Sequence, residues 1–177
     1  LSGVKAQAAA MREAILFERS YAHASTTRPS IASMLTGFYP HECRVSANSD
    51  NLPPLLTTLP DYLREKGYTT LAVSSNFVLG PGSGFDQGFD IFDNRLDQME
   101  LVRPVPERTA DRTTDAALRL IEGNRSGKFF LWIHYQDPHG PYTPPAPFDR
   151  QFLDATAKPE TLTFNASLSG KGGIPSY

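Results

Sequence analysis

Disulfide bonding is excluded at the outset, because the 177 residues contain a single cysteine, Cys43. That leaves the redox compartment open. Long apolar runs are also missing: the longest, Phe129 to Ile133, is far below the roughly 20 residues of a membrane-spanning helix. Neither sign of charge is in excess, with 17 Lys and Arg against 19 Asp and Glu. This removes the electrostatic case for binding nucleic acid or an anionic membrane. No internal repeat or domain linker is visible. What remains is enough chain for one hydrophobic core or most of a domain.

Apolar spacing divides that chain into alternating helices and strands. Val4 to about Glu13 has Val4, Ala8, Met11 and Ile15 at helical spacing, and Ile15 to Ala22 alternates loosely as a strand. Ser25 to Gly37 then reads as a hydroxyl-rich loop feeding a short helix with Ile31, Met34 and Leu35 inward. Thr27 suits its N-cap, Pro29 its first turn and Gly37 its left-handed stop. A second helix is expected over Leu59 to Lys66, with Leu59, Tyr62 and Leu63 inward, followed by a buried strand from Tyr68 to Ser74. Pro81 to Asp97 has the Gly, Asp and Phe content of an ordered loop. Thr109 to Gly123 predicts a helix with Ala110, Thr114, Ala117 and Ile121 on one face. Lys128 to Tyr135, nearly all apolar or aromatic, predicts a central parallel strand buried on both faces. Pro138 to Pro147 must be irregular, and residues 155–177 have no clear period. The pattern is that of an α/β domain with a mainly parallel sheet flanked by helices.

Chemistry concentrates first at Thr27. A hydroxyl at a helix N-terminus lies among free N–H groups and the positive end of the dipole, where a phosphate or sulfate is also favoured. Thr27 is therefore either a cap or a nucleophile. Arg28 beside it has the charge and fork to hold an oxyanion. Asn48 is a donor or an ordinary turn residue in Ser-Ala-Asn-Ser-Asp. His139 follows the expected central strand, and strand C-terminal ends are where open α/β sheets bind ligands. His134 lies within that strand and reads as structural, as do His23 and His41, while Asp137 reads as a turn former before Pro138. Asp86, Asp90 and Asp93 have the look of a metal cluster, but their Gly-Phe-Asp setting favours a turn-capping role.

Four ordered segments resemble the sulfatase family of the alkaline phosphatase superfamily. They are Thr27-x-Pro29-Ser30-x-x-x-x-Leu35-Thr36-Gly37-x-Tyr39-Pro40-His41, Leu59-x-x-x-Leu63-x-x-x-Gly67-Tyr68-x-Thr70, Gly84-Phe85-Asp86-x-Gly88-Phe89-Asp90 and His134-Tyr135-x-Asp137-Pro138-His139-Gly140-Pro141-Tyr142-x-Pro144-Pro145. The resemblance implies an alkaline phosphatase/sulfatase-like sandwich, of which residues 1–177 form a single partial catalytic domain. It implies that metal-ligand segments precede Leu1 and follow Tyr177, and that divalent metal ions (Ca, or Zn/Mn) are held mostly by residues beyond the chain. Only Thr27 would be a metal ligand here. The implied substrate is a sulfate or phosphate ester, and the compartment periplasmic or extracellular, with room for a membrane anchor elsewhere in the full protein.

Departures from the family pattern refine the expected chemistry. Thr27 occupies the position of the family's formylglycine precursor, Cys or Ser, and Thr cannot be converted. Ile31 stands where the Arg of the maturation pattern would be. Ser75 and Phe77 fall near the positions of a Lys and a His that bind sulfate and protonate the leaving group, with Asn76 between; Ser75 and Asn76 could donate only neutral hydrogen bonds. Relatives in the superfamily use such a Thr directly, between two metal ions that lower its pKa, with an Asn at the offset of Asn48 donating to the oxyanion. By the same resemblance His139 contacts the transferring group or the leaving oxygen. The expectation is thus a metal-dependent hydrolase with Thr27 as nucleophile, nearer to a phosphodiesterase or phosphotransferase than to a formylglycine sulfatase. The alternative is a degenerate relative that binds anionic saccharide or lipid headgroups without turnover. Cys43 and Arg44 replace a common family His and Gly.

Overall fold

The computed structural model describes residues 17–99, 105–140 and 146–151. The helix expected over Val4 to Glu13, the first residues of the strand after it, and residues 155–177 lie outside the described set. In chain order the elements are α1 (Thr27–Thr36), α2 (Leu59–Glu65), β1 (Thr69–Ser74), β2 (Ile91–Asp93), β3 (Gln98–Met99), β4 (Pro106–Glu107), α3 (Ala110–Gly123) and β5 (Phe129–His134), with 3-10 turns at Phe77–Leu79 and Phe148–Arg150.

β1 is the centre of a three-stranded sheet of order β2-β1-β5, and both neighbours run parallel to it. Its register sets Leu71 opposite Ile91 on one side and Leu131 on the other. Leu71, Ala72 and Val73 are fully buried, as the centre of a parallel sheet requires. Strand alternation then assigns the two faces. Val73, Leu131 and Ile133 pack on Ala116, Ala117 and Leu120 of α3. On the other face Phe89 stacks on Phe130 and Trp132, and Trp132 borders the cluster of Ala32 and Leu35 from α1 with Val45, Leu52, Leu79 and Phe85. The sheet is therefore flanked by helices on both faces, the α/β arrangement read from the sequence.

Local chemistry accounts for the starts and stops. α1 ends at Gly37, whose φ of 76° is the left-handed stop. α2 opens with a capping box in which the Thr58 hydroxyl accepts from the Asp61 N–H and the Asp61 carboxylate accepts from the Thr58 N–H at 3.0 Å. Gly88 presses on that box: with φ +81°, a Cβ there would lie 2.7 Å from Thr58 Oγ1. This gives the second glycine of the Gly-Phe-Asp repeat a steric cause. Asp90 completes the link by accepting from the Thr70 N–H at 2.8 Å and the Thr70 hydroxyl at 3.0 Å, which aligns the entry to β2 with β1.

Several expectations are corrected. Residues 17–22 are not a strand; Phe17 and Tyr21 are 75% and 81% exposed, so the described chain has no strand leading into Thr27. The loop expected over Pro81 to Asp97 contains β2, which is too short to display a period. β5 is not central: it pairs only with β1 among the described residues, and its side chains are all half-buried. In α2, Leu59 and Tyr62 face solvent and Pro60 is buried instead. In α1, Met34 is exposed, and Pro29, Ala32, Ser33 and Leu35 form the buried face. In α3 the buried face is Thr113, Ala116 and Ala117, and Thr114 is exposed. The inward turn of Thr113 follows from its hydroxyl, which donates to Thr109 O at 2.9 Å and meets Ser75 Oγ at 2.7 Å.

Candidate active site at the N-terminus of α1

The first turn of α1 is capped from outside the helix. The N-cap residue is Thr26, not Thr27; its backbone is extended and its side chain makes no capping bond. The missing acceptor comes from Asn48, whose Oδ1 accepts from the Arg28 N–H at 2.8 Å across 20 residues. Asn48 is held in turn by Asp50, whose carboxylate accepts from the N–H groups of Ser46 at 2.8 Å and Ala47 at 2.9 Å. The Ser46 and Ala47 bonds hold the Asp50 carboxyl below its ordinary range. Thr27 is thus the first helical residue, half-buried, and its hydroxyl has no hydrogen-bond partner among the described residues. Asn48 is exposed, and with its oxygen committed to Arg28 its amide Nδ2 has no partner among the described residues. The bond to the Arg28 N–H sets the Asn48 side chain against the first turn of α1, one residue along from Thr27.

Arg28 does not project a free fork. Its Nε donates to Val78 O at 2.6 Å, and its Nη1 donates to Asp50 O at 3.1 Å and Asn51 Oδ1 at 3.0 Å. Arg28 thereby ties α1 to the Asn48 loop and to the turn after β1. Ser75 and Asn76 are engaged in the fold likewise. The Ser75 hydroxyl is buried between Thr113 Oγ1 and the carbonyl of His134, the latter at 3.1 Å. Asn76 Oδ1 accepts from the Val78 N–H at 2.9 Å, capping its own 3-10 turn, and its carbonyl accepts from Asn94 Nδ2 at 3.1 Å. Short-range capping by Asn is common enough that sequence alone could have raised it.

His139 lies exposed in the loop after β5, with its N–H donating to Gln136 O at 2.8 Å. Its Nδ1 is 2.7 Å from Gly140 O, a carbonyl that can only accept. No hydrogen bond among the described residues joins His139 to Thr27 or Asn48. Asp137 does more than form a turn: its Oδ2 accepts from the Ala110 N–H at 2.7 Å, capping α3 from the loop that carries His139. Nothing in the sequence signalled that contact, which crosses 27 residues. His134 is half-buried, its Nδ1 enclosed without a partner, and burial lowers its pKa from the ordinary value.

The acidic residues of the Gly-Phe-Asp region do not converge. Asp86 is exposed, Asp90 serves Thr70, and Asp93 is paired with Arg95 and Arg108. Among the described residues no group of three His, Cys, Asp or Glu could hold a metal ion. Thr27 offers one free oxygen, so the described residues do not make a metal site by themselves.

The family profile described as Sulfatase matches residues 4–167. The chain belongs to the sulfatase family. Among curated proteins it is similar to an N-acetylglucosamine-6-O-sulfatase of Bacteroides thetaiotaomicron, 26% identical over 171 residues that cover 90% of this chain and 30% of the relative. It is also similar to the iduronate 2-sulfatase of Mus musculus, 26% identical with 78% of this chain and 31% of the relative covered. The chain thus spans less than a third of the length of these sulfatases. Two solved structures share the fold. One, a protein in complex with its substrate D-glucosamine-2-N,6-O-disulfate, gives a TM-score of 0.59 at 24% identity, covering 72% of this chain and 28% of the other. The second, the phosphonate monoester hydrolase of Agrobacterium radiobacter, gives 0.58 at 18% identity, covering 76% and 36%.

Proposed function

We propose that this chain is the nucleophile-bearing part of a sulfatase-family catalytic domain, and that the whole protein cleaves or transfers a sulfate or phosphate ester through Thr27. The observation that carries this is the pairing at the start of α1. Thr27 is not the cap, its hydroxyl has no partner among the described residues, and Asn48, bonded to the N–H of the next residue, keeps an amide without a partner among them. Attack by Thr27 Oγ1, its proton passing to solvent water, forms a new ester bond to phosphorus or sulfur while the bond to the leaving oxygen breaks; water then cleaves the Thr27 ester, and Oγ1 regains a proton. The Asn48 amide and the positive end of α1 meet the negative charge that develops on the transferring group. His139, in its protonated form, would give its Nε2 proton to the leaving oxygen.

Phosphate diesters or monoesters are the better match to this machinery than sulfate esters. Thr27 cannot release sulfate by the elimination open to formylglycine, and the enclosed Ser75 and Asn76 supply no cation. The sulfated saccharides in the names of the relatives support an anionic saccharide as the alternative substrate. Metal dependence stays part of the proposal, with ligands supplied mostly by residues outside the described set. A second function, binding without turnover, is favoured by the commitment of Arg28, Ser75 and Asn76 to the fold.

The deciding experiment assays the full-length protein on an aryl phosphate diester, an aryl phosphate and an aryl sulfate, before and after chelation, beside Thr27→Ala. The expected result is chelator-sensitive turnover, highest on a phosphate ester, that falls by three or more orders of magnitude in the variant. Sulfate favoured by more than about tenfold would reverse the substrate preference. No turnover on any ester, with wild-type binding retained by Thr27→Ala, would establish the binding protein instead.

A further inference from the structure

A groove of about 560 Å³ lies on the α3 side of the sheet, lined by Arg95, Asp97, Arg108, Arg112, Asp115 and Arg119. It is separate from the Thr27 site: α3 packs on the face carrying Val73, Leu131 and Ile133, whereas α1 packs on the opposite face with Trp132. Four of the six lining side chains are arginines, and the fold leaves them short of counter-charge. Asp93 alone answers both Arg95, at 2.5 Å, and Arg108, at 3.0 Å. Arg112 is paired with Asp97 at 2.5 Å, and Arg119 has no ion-pair partner among the described residues. Arg108 is 4% exposed, and its Nη2 donates to Ser74 O, Asp93 O and Asp93 Oδ1. Its Nε is enclosed without an acceptor. A buried guanidinium that shares its one carboxylate among the described residues with a second arginine leaves positive charge on the groove wall, and that charge is costly unless an anion comes close.

We propose that this groove is an anion site distinct from Thr27, which holds a tetrahedral oxyanion, a sulfate or a phosphate group, between the Arg119 fork and the Nη1 of Arg95, whose Nε and Nη2 are engaged with Asp93, above the Arg108 charge. Arginine suits the task because its planar fork matches two oxygens of such a group at once. The volume exceeds that of a free ion and falls in the range of small-ligand pockets, so the group can arrive alone or attached to a sugar.

The test is calorimetric titration of the full-length protein carrying Thr27→Ala, which removes hydrolysis of the probe. The probes are sodium sulfate, sodium phosphate, a sulfated heparin disaccharide and its desulfated counterpart. Arg119→Gln alters an exposed side chain with no ion pair among the described residues and should leave the melting temperature unchanged; Arg95→Gln also removes a partner of Asp93 and should lower it while the protein stays folded at the titration temperature; Arg108 is avoided because it joins β1 to β2. The proposal predicts binding of the oxyanion probes that weakens about fivefold in each variant, the scale of one charge-assisted contact, and no binding of the desulfated sugar. Stronger binding of the sulfated disaccharide than of free sulfate identifies a saccharide-borne group; equal or stronger binding of the free ions identifies inorganic anion. Oxyanion binding that is absent, or unchanged in the Arg95→Gln/Arg119→Gln double variant, overturns the proposal.

Discussion

Asn48 and Asn76 make the same bond and end with different capacities. Each side-chain oxygen accepts a backbone N–H, from Arg28 at 2.8 Å and from Val78 at 2.9 Å. Asn48 does so from a distant loop and stays exposed, with no partner for its amide among the described residues. Asn76 bonds two residues ahead and is 5% exposed, enclosed by the turn after β1 where Ser75, Asn94 and Arg108 also meet. The polar groups of the turn after β1 hold strands and helix together; those at the start of α1 are left over once the helix is capped. Residue type and offset place a side chain near a site, but the partner it already has decides what it can still do.

Substitutions in the enclosed turn should therefore cost stability, and those at α1 should cost turnover. The largest effect is expected at Asp93. Burial pushes its carboxyl up, yet the bonds from Arg95 and the charge of Arg108 outweigh this and hold it at about 2. Asp93→Ala leaves Arg108 buried without its counter-charge and should destabilise the full-length protein by about 3–5 kcal/mol in denaturant melts. Because the folded value lies below the unfolded one, the stabilisation is complete above about pH 4 and is lost as pH falls towards 2, an acid-limb loss on the order of 2 kcal/mol. Asp93→Asn should lack that part of the acid limb in melts recorded across pH; an unaltered limb would mean that the carboxylate is not held by the two arginines.

Next is Asn48→Asp, which separates the two roles of the side chain. The carboxylate still accepts from Arg28 and suits a helix N-terminus, while the amide donor is gone. Stability should change by less than about 1 kcal/mol, and kcat should fall by about 10²-fold, the scale of one lost oxyanion donor. Unaffected turnover would reduce Asn48 to a cap. Ser75→Ala is the mirror experiment: it removes the Ser75 bonds to Thr113 Oγ1 and His134 O, while Thr113 still donates to Thr109 O, and should cost about 1 kcal/mol, with kcat/KM within about twofold of wild type. A large catalytic loss at Ser75 would break the contrast between the two regions.

The smallest effect is expected at Arg44, which has φ 58°. That left-handed conformation explains why glycine suits the position in relatives and why arginine carries strain there. Arg44→Gly should stabilise the protein by about 0.5 kcal/mol in the same melts, and a loss of stability would mean that the Arg44 side chain makes a contact of its own.

Much of the fold was legible because its signals are local or strongly periodic. The starts of α2 and α3, the Gly37 stop and the apolar runs of β1 and β5 were read within a residue or two. Strand order was not: β5 has the more hydrophobic sequence, yet β1 is central because β2, three residues long, pairs with its other edge. At the candidate site the Thr27 region and the Asn48 offset stood out, and the structure bonds the Asn48 side chain to the backbone N–H of Arg28 in the first turn of α1. Arg28, Ser75 and Asn76 share a feature that the sequence did not display, since each side chain is bonded to partners 2 to 59 residues away. Sequence spacing does not register such commitments, nor did it register the cap that Asp137 provides to α3.

The central claim is that Thr27 Oγ1 forms the covalent bond to the transferring group. The most direct measurement is rapid acid quench of the full-length protein during turnover of an aryl phosphate diester, followed by mass spectrometry of the peptide containing Thr27. The expected result is a phosphoryl ester on Thr27, formed within the first turnover and absent from Thr27→Ala. Rapid turnover with no adduct on Thr27, or an adduct on another residue, would contradict it.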